Sequence, residues 1–345
     1  MDNQPDNKRR KALRWQLPFL LFLIVATVLI IRHQRLMPYQ LAKGPVFGTF
    51  FSVKYQHDDN LQPLILEELQ RVDASLSAFN DTSVISRINT NKDMSTDERF
   101  EEVFKLAQQV AEQTDGCFDI TVAPLVNAWG FGFKKGIDPT QQAIDSIMPF
   151  VGYGKVKLQG HRIVKEKPQT MLDASAIAKG FACDRVATVL RAHDVQNFVV
   201  EIGGEVVAQG KNEQGEPWRV GIAQPQDDSL AVDVPNMEVL SMDNCAMATS
   251  GNYRNFYYRD GKKYAHTINP HDGRPVQHSL LSATVVARNC ATADAYATAF
   301  MVMGMEKAKL LLEKHTELSA FFIYADSTGE YDTWCSPKLE KKLMK

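Results

Sequence analysis

The five cysteines, Cys117, Cys183, Cys245, Cys290 and Cys335, contain no C-x-x-C pair. Their wide spacing excludes a zinc ribbon and a dense disulfide scaffold, and leaves room for one or two disulfides in an oxidising compartment. The odd count leaves at least one thiol unpaired within the chain. No G-x-G-x-x-G stretch occurs, which removes support for a Rossmann dinucleotide fold. No charge excess exists either: 39 Lys and Arg face 41 Asp and Glu, a formal net charge of −2. That balance argues against an overall basic surface for nucleic acid. Internal repeats and low-complexity segments are missing. What remains is an ordinary globular composition, with 345 residues, 44% hydrophobic and 23% charged, enough for one large domain or two ordinary ones.

Long apolar runs are also scarce, and the single one stands near the start. Residues 17–31 (LPFLLFLIVATVLII) are uncharged, and Trp15 and Gln16 lengthen the stretch to near the lower limit for a membrane-spanning helix. Lys8, Arg9, Arg10, Lys11 and Arg14 precede it. A cleaved signal peptide fits the basic start and apolar core, but needs small residues at a cleavage site. Ile30, Ile31, Arg32, His33 and Gln34 stand there instead, and no Cys follows to take a lipid. A retained anchor is therefore expected: 1–16 a cytoplasmic basic tail, 17–31 a single transmembrane helix, 32–43 a linker. The positive-inside rule then exports the rest. In a bacterial inner membrane, the catalytic part would face the periplasm.

Beyond the linker, Val46 to Tyr55 reads as one strand. Ile65, Leu69, Val72 and Leu76 share one helical face, as do Phe100, Val103, Phe104, Ala107, Val110 and Ala111, with Ser95 or Thr96 as caps. Helices are expected over 177–190, 291–303 and 306–315. Strands are expected at 198–202, 205–208, 218–223, 237–242, 282–287 and 320–325. The mixture lacks a regular βαβ alternation, so the expected class is α+β, a single large mixed catalytic domain over 44–345 preceded by the anchor.

Five clusters look unlike packing. In 116–132 (GCFDITVAPLVNAWGFG), Asp119 and Thr121 lie amid apolar residues, and Trp129, Gly130 and Phe131 offer either aromatic plugs for a turn or a platform for a flat ring. In 172–184 (LDASAIAKGFACD), Asp173 and Lys179 flank small residues. An anion site at a helix start and a plain cap by Asp173 or Ser175 both fit. Gly203-Gly204 between apolar runs is a hairpin turn. Around 248–276, His266 precedes the turn signals Asn269-Pro270 and Asp272-Gly273, which suits a general base with a pKa near neutrality. Asp294 and Thr298 stand at i and i+4 on one helical face. Their oxygens suit Mg²⁺, although a cap or a solvated face accounts for them too.

Taken together and in this order, these pieces resemble the FAD:protein FMN transferases of bacteria, the ApbE family. The matching segments are FGTFFSV (47–53), LSAFNDTSVISRIN (76–89), GCFDITVAPLVNAWGFG, LDASAIAKGFACD, EIGGEVVAQG (201–210), MATSGNYR (247–254), HTINPHDGRPV (266–276) and TADAYATAFMVMG (292–304). The resemblance covers roughly 44–326.

It implies transfer of the FMN half of FAD, with Mg²⁺, onto a Thr or Ser hydroxyl of a target protein, with release of AMP. The partners it implies are acceptor flavoprotein subunits of membrane electron-transfer or sodium-pumping complexes. On the same ground, FAD contacts fall on Phe47, Phe79, Trp129, Gly130, Phe131, Asp173, Lys179 and Ile268. The metal falls on Asp294 and Thr298 with backbone help near Ala176, and His266 acts as base on the acceptor hydroxyl. Phe47 stands where Met is usual and Phe79 where Tyr is common. The family's acceptor motif contains Gly-Ala, and this chain has no Gly-Ala dipeptide, so labelling of the chain by itself is not expected. An FAD pyrophosphatase using water as acceptor, and a non-catalytic flavin-binding protein, are the alternatives.

Overall fold

Eight strands pair antiparallel throughout, and their order in space is their order in sequence: Tyr39–Val46, Thr49–Gln56, Phe198–Ile202, Glu205–Gln209, Cys245–Gly251, Leu280–Ala287, Ser319–Ala325 and Tyr331–Cys335. This is a computed structural model, and it describes residues 16–29, 32, 37–132, 139–224, 236–252, 256–259 and 262–344. Helices sit in the long insertions between strands rather than alternating with them, which matches the α+β expectation.

The helices Gln62–Leu76, Ala178–Ala192 and Cys290–Met303 pack side by side, and the last two lie against the strands. Their apolar positions, including Ile65, Leu69, Val72, Val186 and Leu190, join the main core with Phe51, Val53 and Phe198. The periodicity argument thus holds: each stripe faces the main core. A second core on Val206, Trp218, Ile222, Leu240, Met242 and Phe321 joins the hairpin Trp218–Ala223/Asn236–Met242 to the sheet. A third, on Leu125, Trp129, Ile144, Val151 and Ile268, ties 122–151 to the loop that follows His266.

Several expectations need correction. Val46 to Tyr55 is not one strand. Phe47 (φ 49°) and Gly48 (φ 73°) turn the chain, and Val46 pairs with Thr49. Two consecutive left-handed residues close a two-residue hairpin whose twist suits the strands. Residues 39–43, expected as linker, are instead the outer part of the edge strand. The helix Glu98–Gln113 is capped by Asp97, whose carboxylate accepts from the Phe100 N–H, rather than by Ser95 or Thr96. The five cysteines, for which the sequence left one or two disulfides open, are free thiols.

Among the described residues, no helix is long and apolar enough to cross a membrane, and the transmembrane helix expected over 17–31 extends past them. The described part of the run is a helix over 16–29 with exposed Leu17, Phe19, Leu20, Leu21 and Phe22. Residues 30 and 31, and the basic tail over 1–15, lie outside the described residues.

Candidate active site

A cavity of about 1240 Å³ opens where the helix layer, the sheet and the loops around 116–132 and 266–270 meet. One side of it is the crossing of two helices. At Gly180 the helix Ala178–Ala192 comes so close to Cys290–Met303 that an added Cβ would stand 2.4 Å from the Cys290 carbonyl oxygen. Only glycine allows that approach. The Gly180 N–H donates to Asp294 Oδ2 at 3.0 Å. One turn on, Asp184 accepts from the N–H groups of Cys290 and Ala291, each at 2.8 Å. These bonds fix the register of the two helices. They aim Asp294 into the cavity, with Thr298 one turn further along.

Asp294 is buried, and burial pushes its carboxyl pKa up against the opposing effects of Lys179 and the Gly180 N–H. It is neither a cap nor part of a solvated face. The cap of its helix is Asn289, whose side chain accepts from the Thr292 N–H at 2.9 Å. Thr298 Oγ1 shares a 3.0 Å hydrogen bond with Ser250 Oγ on the neighbouring strand. Lys179 Nζ donates to Glu205 Oε1 at 2.6 Å. Burial pulls the lysine pKa down, but the fields of Asp294 and Glu205 outweigh it, so its net shift is upward and the ammonium is held.

The opposite wall is a set of turns. Asp119 is buried and accepts from the N–H and hydroxyl of Thr121, each at 2.7 Å, and Thr121 Oγ1 in turn accepts from the Gly152 N–H at 2.7 Å. These two residues build the loop. The Asp173 N–H donates to the Ile120 carbonyl at 2.7 Å, which joins the loop to the helix start. Asp173 does not cap that helix. It accepts from the Ser175 N–H at 2.8 Å, and Ile177 stands at the cap position without a side-chain bond.

Trp129 and Phe131 part company at Gly130, whose φ of 81° reverses the backbone between them. Trp129 is buried in the third core and donates from Nε1 to the Gly273 carbonyl at 2.7 Å. Phe131 turns to the cavity and meets His266 edge to face, with ring centroids 6.4 Å apart. The segment after His266 is held by Asn269 N–H to Arg274 O at 2.8 Å, Val276 N–H to Thr267 O at 3.0 Å, and Thr267 Oγ1 to Asn252 Oδ1 at 2.8 Å.

A model of the ApbE family matches residues 47–322, well over half of the sequence. The chain belongs to the ApbE family. The FAD:protein FMN transferase of Vibrio cholerae is 35% identical over 281 residues, 78% of this chain and 83% of the relative. That of Haemophilus influenzae is 36% identical over 304 residues, 83% of this chain and 86% of the relative. Among solved structures, the flavin transferase ApbE from Vibrio cholerae superposes with a TM-score of 0.80 at 31% identity, covering 89% of this chain and 99% of that one. The apo form of the Pseudomonas stutzeri flavinyl transferase ApbE gives 0.79 at 30% identity, covering 89% and 97%.

Of the residues singled out from sequence, Phe79, Phe131, Asp173, Ala176, Lys179, His266, Ile268, Asp294 and Thr298 all line the cavity of this ApbE-family chain. Phe47, Trp129 and Gly130 are not on its wall. Phe47 packs against the main core, and Gly48, Thr49 and Phe50 face the cavity in its stead. Trp129 lies behind the wall and supports the loop that carries His266.

Glu205, Asp184 and Gly180 escaped the sequence reading. Glu205 opens a strand whose next residues, Val206 and Val207, are buried, so a charge at that position was a usable signal. Asp184 stands four residues after Gly180, on one helical face.

The donor set suits a hard cation. The Asp294 carboxylate and the Thr298 hydroxyl offer oxygen ligands, and Ala176 lines the same cavity. Among the described residues, no group of three His, Cys, Asp or Glu could hold a metal.

Proposed function

We propose that this chain is an FAD:protein FMN transferase that moves FMN from FAD to a Thr or Ser hydroxyl of a target flavoprotein, with Mg²⁺ and with release of AMP. The observation that carries this reading is the convergence of His266, Phe131, Lys179, Asp294 and Thr298 on one cavity large enough for a dinucleotide. FAD is the substrate. Phe131 and the exposed Phe79 offer faces to its flavin ring. Asp294 and Thr298, with the Ala176 backbone, would hold Mg²⁺, which when bound polarises the phosphorus and neutralises charge on the departing AMP.

The acceptor oxygen attacks the phosphorus of the FMN half. A new P–O ester bond forms as the P–O bond to AMP breaks, and the hydroxyl proton passes to the His266 imidazole. A hydroxyl is a weak nucleophile until a base takes that proton. Binding of acceptor and FAD in one cavity must also keep water from the phosphorus, since water attack yields only FMN and AMP.

The test is incubation of the chain with FAD, Mg²⁺ and the acceptor domain of a flavoprotein subunit. The acceptor should gain an FMN-sized mass, with AMP in equal amount. No mass gain contradicts the reading. Free FMN and AMP at a comparable rate without acceptor would make the chain an FAD pyrophosphatase, and intact bound FAD would make it a binding protein.

We also propose that the run over 17–31 tethers the catalytic part to the periplasmic face of a bacterial inner membrane. There it would meet acceptor subunits of membrane electron-transfer or sodium-pumping complexes. The exposed apolar side chains of the helix over 16–29, and the basic residues before it, support this. Protease added to spheroplasts should digest the catalytic part. Full protection would put it on the other side.

A further inference from the structure

Three ionisable side chains share the corner where the helix Ala178–Ala192 meets the Gly203-Gly204 turn. Lys179, Glu205 and Asp294 all face the cavity, and Glu205 and Asp294 are only 2% and 3% exposed. The fields of both carboxylates reach the Lys179 ammonium. Yet its ion pair is with Glu205, at 2.6 Å, and among the described residues it makes none with Asp294.

The lysine stem runs beside the Gly203 turn: an added Cβ there would stand 3.4 Å from Lys179 Cδ, an ordinary contact, and 2.9 Å from Thr49 Cγ2. Glu205 is held by little else. Its Oε2 is buried and has no hydrogen-bond partner among the described residues. Pairing Lys179 with Glu205 leaves Asp294 without an ion-pair partner among the described residues.

We propose that Glu205 is a positioning residue that holds the Lys179 ammonium off Asp294 and so keeps the Asp294 carboxylate open to a divalent cation. The inference rests on the reading of Asp294 as a metal ligand. Lysine is a compact charge on a flexible four-carbon stem. Released from Glu205, it can swing towards Asp294, whose field already reaches it, and compete there with the cation. A buried ion pair is in itself weak evidence for a role in stability, so the pair needs another reason to be present. Control of the neighbouring ligand supplies one.

The test reads metal binding without turnover. Mn²⁺ is titrated into the full-length chain and followed by electron paramagnetic resonance, for wild type, Glu205→Ala, Lys179→Met and the double variant. Glu205→Ala is expected to weaken Mn²⁺ binding by about 10–100-fold, the usual range for loss of a group that orients a metal ligand. Lys179→Met should bind at least as tightly as wild type. The double variant should return to within about threefold of wild type, because the competing ammonium has gone with its holder; such non-additivity marks direct coupling.

A merely structural Glu205 gives a double variant no better than Glu205→Ala, and that result overturns the proposal, as does wild-type affinity in Glu205→Ala. Glu205→Gln keeps the shape and an acceptor oxygen, and should lose affinity to a smaller degree. If Glu205→Ala does not fold, the comparison of Glu205→Gln with Glu205→Gln/Lys179→Met decides in the same way. Absence of Mn²⁺ binding in wild type itself would fail the metal reading, whereas wild-type binding with an unaffected Glu205→Ala fails this inference alone.

Discussion

At the crossing of the helices Ala178–Ala192 and Cys290–Met303, backbone touches backbone, and Asp184, Gly180 and Asp294 lock the contact with three hydrogen bonds. Across the cavity, His266 and Phe131 stand on turns. They are placed by a tryptophan behind them and by loop hydrogen bonds. The first wall is rigid secondary structure carrying a carboxylate and a hydroxyl. The second is loop structure carrying an aromatic face and an imidazole. The proposed phosphoryl transfer would use both: a fixed charge site that tolerates little displacement, and a base that must accommodate a large incoming acceptor. The difference in construction follows the difference in task.

Four substitutions sharpen or break that comparison, and the largest effect is expected on the rigid wall. Asp294→Ala should reduce transfer below about a thousandth of wild type, through loss of several kcal/mol of charge stabilisation. Near-normal, Mg²⁺-dependent labelling of an acceptor by this variant would remove Asp294 from the metal site. Next is His266→Ala, for which a loss of about 10²–10⁴-fold in the labelling rate is expected, the range for a missing general base. Its FAD affinity, read by fluorescence quenching, should barely change.

Gly180→Ala tests the close approach itself. The new Cβ meets the Cys290 carbonyl, and such overpacking costs about 1–3 kcal/mol. Chemical denaturation should report that loss, together with a higher Mg²⁺ requirement. Unchanged stability would mean the helices can part freely. The smallest effect belongs to Trp129→Phe, which removes the bond to the Gly273 carbonyl and costs about 0.5–1.5 kcal/mol. The labelling rate should fall a few-fold with Mg²⁺ dependence intact. A shift in that dependence would mean the two walls are not independent.

Much of this architecture is legible in the sequence. The stripe Ile65, Leu69, Val72 and Leu76 and the strand at 198–202 follow from periodicity, because burial on one face imposes it, whereas the strand at 320–325, buried on both faces, shows as a continuous apolar run. The hairpin at Phe47-Gly48 was hidden, since Phe is an unusual residue at positive φ and an apolar run masked the reversal. The edge strand from Tyr39 resembles a linker in sequence because partial exposure leaves no strong alternation.

Within the site, Asp294, Thr298 and His266 stood out as polar residues in apolar or turn-rich surroundings. Glu205 and Asp184 did not. Their meaning lies in partners 26 and 106 residues away, and no local pattern encodes such a pairing. Trp129 misled for a related reason: its neighbour Phe131 faces the cavity, and only the reversal at Gly130 separates the two.

The most direct test of this division of labour is the rate of acceptor labelling as a function of Mg²⁺ concentration for wild type and His266→Ala. A lowered plateau with the same half-saturating Mg²⁺ concentration is the predicted result, because the imidazole and the cation site sit on separately built walls. A shifted half-saturation at an unchanged plateau would contradict the account, since His266 would then serve the metal rather than the acceptor hydroxyl.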